Sequence, residues 1–166
     1  MTIVVRRMRA DEWERYRAVR LAALLDAPSA FGSSYGAEAD RPDAEWMARA
    51  DSGARGDERA TFFAIDDESG DEVVVGLVGG YVEVDGSVDL VSMWTSPAAR
   101  RQSVGRLLVR AVVEWAGDRP LSLWVTRGND AAHGLYTAMG FVESGEHQPL
   151  PSDPCKDETR MVLRRG

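Results

Sequence analysis

The chain has 166 residues, 44% hydrophobic and 28% charged, with a formal net charge of −7. That length suits one domain with a proper core over residues 1–166 and is too short for two. The acidic balance argues against a nucleic-acid surface, and no apolar run approaches the roughly 18 residues that a membrane span needs.

The N-terminus, MTIVVRRMRADEW, lacks the apolar core of a secretory signal, so a cytoplasmic protein is expected. A single cysteine, Cys155, excludes an intrachain disulfide, and two separated histidines, His133 and His147, do not make a zinc site, so no metal is expected. Thr2 to Met8 alternates weakly and reads as a first strand. Asp11 to Leu25 follows as a helix with Trp13, Tyr16, Leu21, Leu24 and Leu25 on a broad apolar face, closed by Pro28. Ala27 to Pro42 reads as a linker holding two aromatics, Phe31 and Tyr35. Asp43 to Ala50 is a short helix, Asp51 to Glu58 a polar turn, and Thr61 to Ile65 a strand. An acidic loop, Asp66 to Glu72, leads into the apolar strand Val73 to Val84, which Gly76, Gly79 and Gly80 interrupt. Asp85-Gly86 is a hairpin turn signal.

The next stretch organises the rest. Val88 to Thr95 is apolar and β-prone, which suits a strand buried on both faces, and Pro97 stops it. After the basic turn AARRQSVG, residues Val104, Leu107, Leu108, Ala111, Val112 and Trp115 recur at helical spacing. Unpaired amides at a helix N-terminus favour an anion, and Arg100, Arg101 and Arg106 add charge there, so the turn reads as a cradle for a ligand phosphate. No Gly-Lys-Ser/Thr follows, as a Walker loop requires, and the three spaced glycines of a dinucleotide fingerprint are absent. Pro120 to Thr126 alternates as a strand, parallel to Val88–Thr95 if the crossover is the usual right-handed one. Asn129 to Met139 is the last helix, ended by Gly140. Phe141 to Glu146 and Arg160 to Leu163 pair as closing strands, with a stiff proline-rich loop, QPLPSDPCK, at Gln148 to Lys156.

Two of these segments carry a family resemblance. TSPAARRQSVGRLL is similar to the acetyl-CoA loop of the GNAT superfamily of N-acetyltransferases, whose pattern is Q/R-x-x-G-x-G/A. Arg100 fills the first position and Gly105 the last, while Arg101 and Ser103 stand where family members carry glycine. TRGNDAAHGLYTAMGF resembles the family's N-x-x-A-x-x-L-Y-x-x-x-G-F helix, with Asn129, Ala132, Leu135, Tyr136, Gly140 and Phe141 in place. RLAALLDAPSAFGSSY is similar to a segment that helps wall the acceptor site in many members.

The resemblance implies a GNAT fold of the α/β (α+β) class: one mixed, mostly antiparallel sheet, splayed between two central parallel strands, with helices on both faces. It implies acetyl-CoA as donor and an amine acceptor, small molecule or peptide, and leaves a homodimer open. It places the pantetheine arm against Met93, Trp94 and Thr95, the pyrophosphate on the turn formed by Arg100, Arg101, Gln102, Ser103, Val104, Gly105 and Arg106, and further contacts at Asn129 and Ala132. Tyr136 becomes the candidate general acid, although it also fits the apolar stripe Ala132, Leu135, Tyr136, Met139. Asp89 or Glu83 is the candidate base. Phe31, Tyr35 and Asp153 are candidate acceptor contacts, and the acidic balance favours a cationic acceptor. The rival reading is a non-catalytic acyl-CoA-binding module, suggested by the irregular RRQSVG loop.

Overall fold

The structure is a computed structural model and describes residues 1–165. Seven strands form one sheet in the order β1-β2-β3-β4-β5-β7-β6. They are β1 Ile3–Arg7, β2 Arg59–Asp66, β3 Val73–Val82, β4 Val88–Thr95, β5 Leu121–Thr126, β6 Phe141–Leu150 and β7 Asp153–Leu163. All neighbours are antiparallel except β4 and β5. Five helices cover the sheet: α1 Trp13–Asp26, α2 Tyr35–Ala39, α3 Asp43–Arg55, α4 Val104–Ala116 and α5 Asp130–Ala138.

The two faces have separate cores, as a central sheet needs when helices cover both sides. On one, Tyr16, Val19 and Leu24 of α1 and Trp46 of α3 pack on Phe63, Leu77 and Trp94 of the sheet. On the other, Val104, Leu108, Val109 and Val112 of α4 pack on Ala60, Val78, Leu90 and Leu123. The glycines of β3 belong to this packing. A Cβ on Gly80 would lie 2.8 Å from the indole of Trp115, so the helix settles on the sheet only because that side chain is missing.

Two features open the sheet at its centre. The parallel β4–β5 ladder has only three pairs, Val88 with Leu121, Asp89 with Ser122 and Leu90 with Leu123. Just beyond, β4 bulges. Gly79 pairs with Val91 and Leu77 with Trp94, so Ser92 and Met93 face Val78 alone, and Ser92 takes a left-handed φ of 58°.

Several expected boundaries are corrected. The stretch read as a linker contains α2, whose Ser34 side chain caps it by accepting from the Ala37 amide at 3.2 Å. The stretch read as a polar turn is mostly the last turns of α3, which runs to Arg55 and stops at left-handed Gly56. The largest difference is at the C-terminus. The QPLPSDPCK segment is not a long loop: β6 and β7 continue through it and turn at Pro151 and Ser152. Prolines 149 and 154 misled the reading. Both sit in a hairpin with register shifts, and β6 is an edge strand, where a missing amide is tolerated. Among the described residues no helix is long and apolar enough to cross a membrane.

Candidate active site

Many of the residues singled out by sequence, though not all, gather around the opening between β4 and β5. A cleft of about 740 Å³ runs from the basic turn to that opening. Met93, Trp94 and Thr95 line it from β4, Arg100, Arg101 and Ser103 from the turn, Val104, Gly105 and Arg106 from α4, Asn129 from the cap of α5 and Ala132 from α5 itself. Gln102 is exposed and does not line it. A Cβ on Gly105 would come within 2.9 Å of Leu135 and 3.2 Å of Met93, so the glycine keeps the cleft open at the start of α4.

The turn reaches its shape through left-handed backbone at two non-glycine residues. Arg101 has φ 66° and Ser103 φ 61°, while the Ser103 side chain makes no capping hydrogen bond. The first amides of α4 have no intrahelical partner, and Val104 and Gly105 line the cleft, an arrangement that suits an anion. Arg100 is anchored rather than free: its Nε donates to the Thr95 carbonyl at 3.1 Å, and its guanidinium pairs with Asp26 of α1. The same carboxylate accepts from the Trp94 indole at 2.9 Å. That bond, helped by Arg100, holds the Asp26 carboxyl below its ordinary range. Asn129 caps α5, its side-chain oxygen accepting from the Ala132 amide at 3.3 Å.

Past the bulge the cleft meets a smaller cavity of about 80 Å³, bounded by Ser92 and Met93, by Trp124 and Thr126, and by Tyr136. Tyr136 is 5% exposed and stands edge-on to Phe141, with ring centroids 5.8 Å apart. Burial alone pushes its phenol up, so it stays protonated at neutral pH. Tyr136 is packed in a core and also lines the cavity at the sheet opening.

On the far side lies a third cavity of about 270 Å³, which shares Ala30, Leu90, Val91, Ser92 and Trp124 with the second. Phe31 walls it, and Asp89 lines it. Asp89 accepts from Ser122 Oγ at 2.8 Å, and that hydroxyl accepts from Arg160 at 3.0 Å. Glu83 is not part of the lining; it sits where β3 turns towards β4, its amide donating to the Ser87 carbonyl at 2.7 Å. Tyr81, across the β3–β4 ladder from Asp89, has its phenol pushed up by burial first and then by Glu83 and Asp89. Tyr35 is 40% exposed, and neither it nor Asp153 lines the cavity. Asp153 accepts from the Cys155 amide at 3.3 Å, within the hairpin. The two segments expected around the acceptor do meet, since Ser152 Oγ donates to the Phe31 carbonyl at 2.6 Å.

Sequence reasoning missed several residues here. Glu158 lines the third cavity at 7% exposure, from a strand whose start had been read as loop. Arg20 lines it too, paired at 2.9 Å with Glu38, which is 1% exposed and also meets Arg49 at 3.3 Å. An arginine and a glutamate 18 residues apart on separate helices carry no local signal. The left-handed Ser92 at the bulge had none either.

Comparison with known proteins agrees with this fold. No curated protein matches the chain in sequence. Among solved structures, a GNAT-family acetyltransferase from Streptococcus pneumoniae matches with a TM-score of 0.76 at 20% identity, over 98% of this chain and 100% of that one. The PaiA N-acetyltransferase of Thermoplasma acidophilum, solved with coenzyme A, matches at 0.76 and 13% identity over 99% and 100%. Spermidine N-acetyltransferase from Vibrio cholerae, solved with CoA and spermine, matches at 0.74 and 16% over 97% and 94%. At these identities the structures show a shared fold. The family model described as "Acetyltransferase (GNAT) family" matches residues 8–141, most of the chain, and the chain therefore belongs to the GNAT family of acetyltransferases.

Proposed function

We propose that the chain, acting as a single domain in the cytoplasm, transfers the acetyl group of acetyl-CoA directly to a primary amine. The observation that carries this reading is the run of three adjoining cavities through the sheet opening, with phosphate-binding features at one end and an acidic, aromatic cavity at the other. Solved relatives hold acetyl-CoA or CoA, and one of them holds spermine as well.

The residues present fit the donor. The turn and the N-terminus of α4 suit its phosphates, and the free edge of β4 beyond Leu90 can receive the amides of the pantetheine arm as a neighbouring strand would. When bound, acetyl-CoA supplies an activated thioester. Tyr136 then acts as the proton donor to the departing sulfur, because burial keeps its hydroxyl protonated. The acceptor amine, charged at neutral pH, must lose a proton on the other side of the opening. Of the two carboxylates expected from sequence, Asp89 lines that side and Glu83 does not.

The test is release of free thiol from acetyl-CoA across a panel of amines, polyamines, amino acids and peptides. Thiol release that depends on one class of amine, with the acetylated product found by mass spectrometry, is the expected result. Tight CoA binding with no transfer to any amine overturns it in favour of a binding module.

A further inference from the structure

The sheet register separates two carboxylates of the acceptor cavity by height. Asp89 is level with Ser122 of β5, which pairs with Val162 of β7, below the point where β4 and β5 part. Glu158 pairs with Thr126, at the upper end of β5. The difference is four residues, about 13 Å along the strands. Thr126 bounds the small cavity together with Ser92, Met93 and Tyr136, so Glu158 stands beside the opening, above the last β4–β5 pair, while Asp89 lies just below that pair.

Glu158 is also unusual in its bonding. It is 7% exposed, and among the described residues its hydrogen-bond partner is a neutral amide, Gln148 Nε2 donating to Oε1 at 2.7 Å. No cation neutralises it. The basic groups near the cavity are engaged elsewhere. Arg20 is paired with Glu38 and lies over the Phe31 ring at 5.0 Å, Arg160 is paired with Glu146 at 3.2 Å, and Lys156 donates to Ser29. A buried carboxylate without a counter-ion is costly unless a ligand brings one.

We propose, resting on the acetyl-transfer reading above, that Glu158 receives the ammonium of the acceptor and takes its proton, and that the acceptor is a small primary amine with an apolar body and no carboxylate beside the amine. Phe31 and Trp124 wall the cavity for the apolar body. A carboxylate next to the amine meets Glu158 and Asp89, and Arg20, the cation in the cavity lining, is already bonded to Glu38.

The proton balance closes. One proton moves from the ammonium to the free oxygen of Glu158. The nitrogen lone pair forms the C–N bond at the thioester carbonyl carbon, the C–S bond breaks with its pair on sulfur, and Tyr136 protonates the thiolate. The second proton lost by nitrogen restores the phenol, and Glu158 releases its proton to water, so one proton leaves per turnover.

Burial pushes the Glu158 carboxyl up, with Gln148 opposing. The charged or titratable groups around it are Arg20 from α1, Tyr81 from β3, Asp89 from β4, and Lys156 and Arg160 from β7, with Glu146 beyond Arg160. The acidic limb of kcat/KM therefore lies above the ordinary glutamate range.

The experiment has a binding arm and a kinetic arm. Calorimetry without acetyl-CoA uses phenethylamine and phenylalanine, which differ by one carboxylate. Wild type binds phenethylamine and not phenylalanine, and Glu158→Gln weakens the amine by about tenfold or more while leaving CoA affinity unchanged. In the kinetic arm Glu158→Gln lowers kcat/KM by about 10²-fold or more and removes the acidic limb, whereas Asp89→Asn keeps it. Gln148→Met, which leaves Glu158 in place but removes its hydrogen bond, moves the limb to higher pH. The proposal is overturned if phenylalanine binds as well as phenethylamine, if phenethylamine does not bind, or if the limb follows Asp89 instead. Wild type that binds phenethylamine but releases no thiol leaves the amine site standing and removes the acetyl-transfer reading alone.

Discussion

Ser103 offers a sharp test of how the donor turn is built. It adopts φ 61° at the start of α4 and makes no side-chain capping bond there. For an L-residue the left-handed region costs about 1–2 kcal/mol, because Cβ crowds the following carbonyl oxygen. Ser103→Gly removes that crowding but gives the unfolded chain more freedom, which costs about 0.5–1 kcal/mol. The net expectation is a gain of about 0.5–1 kcal/mol. For a chain of this size that raises Tm by roughly 1–4 °C. Ser103→Ala is the control, since it keeps Cβ and loses only a hydroxyl that makes no capping bond, and it should stay within about 0.5 kcal/mol of wild type. Thermal unfolding of the three proteins, followed by circular dichroism in one buffer, gives the comparison. Equal shifts for the two variants, or a lower Tm for the glycine variant, refute the argument that Cβ crowding at this residue is strained.

Tyr136→Phe keeps the ring against Phe141 and removes the hydroxyl, so kcat should fall by roughly 10²-fold or more with little change in KM for acetyl-CoA, measured by steady-state thiol release. Glu38 is buried between Arg20 and Arg49; burial opposes its charge, but the bond from Arg20 prevails and holds its carboxyl below the ordinary range. Glu38→Gln should cost about 3–5 kcal/mol in chemical denaturation, because it leaves buried arginine charge uncompensated. Glu12, bonded by Arg6 at 2.7 Å, is lowered from 4.5 to about 2. Both carboxylates are depressed in the folded state, so their stabilisation is full above the ordinary glutamate range and is lost on acidification, for Glu12 as pH falls towards about 2. Tm measured across that window should drop on acidification, and the drop should be shallower in Glu12→Gln.

What could be read from sequence was whatever is encoded locally. The β4–turn–α4 unit was legible because each of its signals lies within about one turn or strand of the next: an apolar run, a stopping proline, three arginines, then a 3.6-residue apolar period. Tyr136 and Asn129 were singled out through the resemblance of one helical segment to the family's pattern. The acceptor side resisted because it is made of pairings between distant segments. Glu158 acquires its meaning from Thr126 across β7–β5 and from Gln148 across β6–β7, and two prolines disguised the adjoining ends of β6 and β7 as loop. Asp89 shows the converse. Its place on a strand could be read along the chain, but its height in the sheet is a property of the β4–β5 register, which no single segment contains.

The same contrast bears on how the two halves of the site are held. The donor side rests on backbone: left-handed residues at 92, 101 and 103, free amides at α4 and an open β4 edge, which depend on local conformation more than on side-chain identity. The acceptor side rests on side chains held by other side chains, with Ser122 between Arg160 and Asp89, and Glu38 between Arg20 and Arg49. Substitution of one acceptor-side residue therefore disturbs its neighbours in the network, while the donor turn tolerates Arg101 and Ser103 where the family pattern has glycine, at the cost of local strain. In the proposed reading, the backbone-made donor half of this chain survives substitutions that remake the acceptor half.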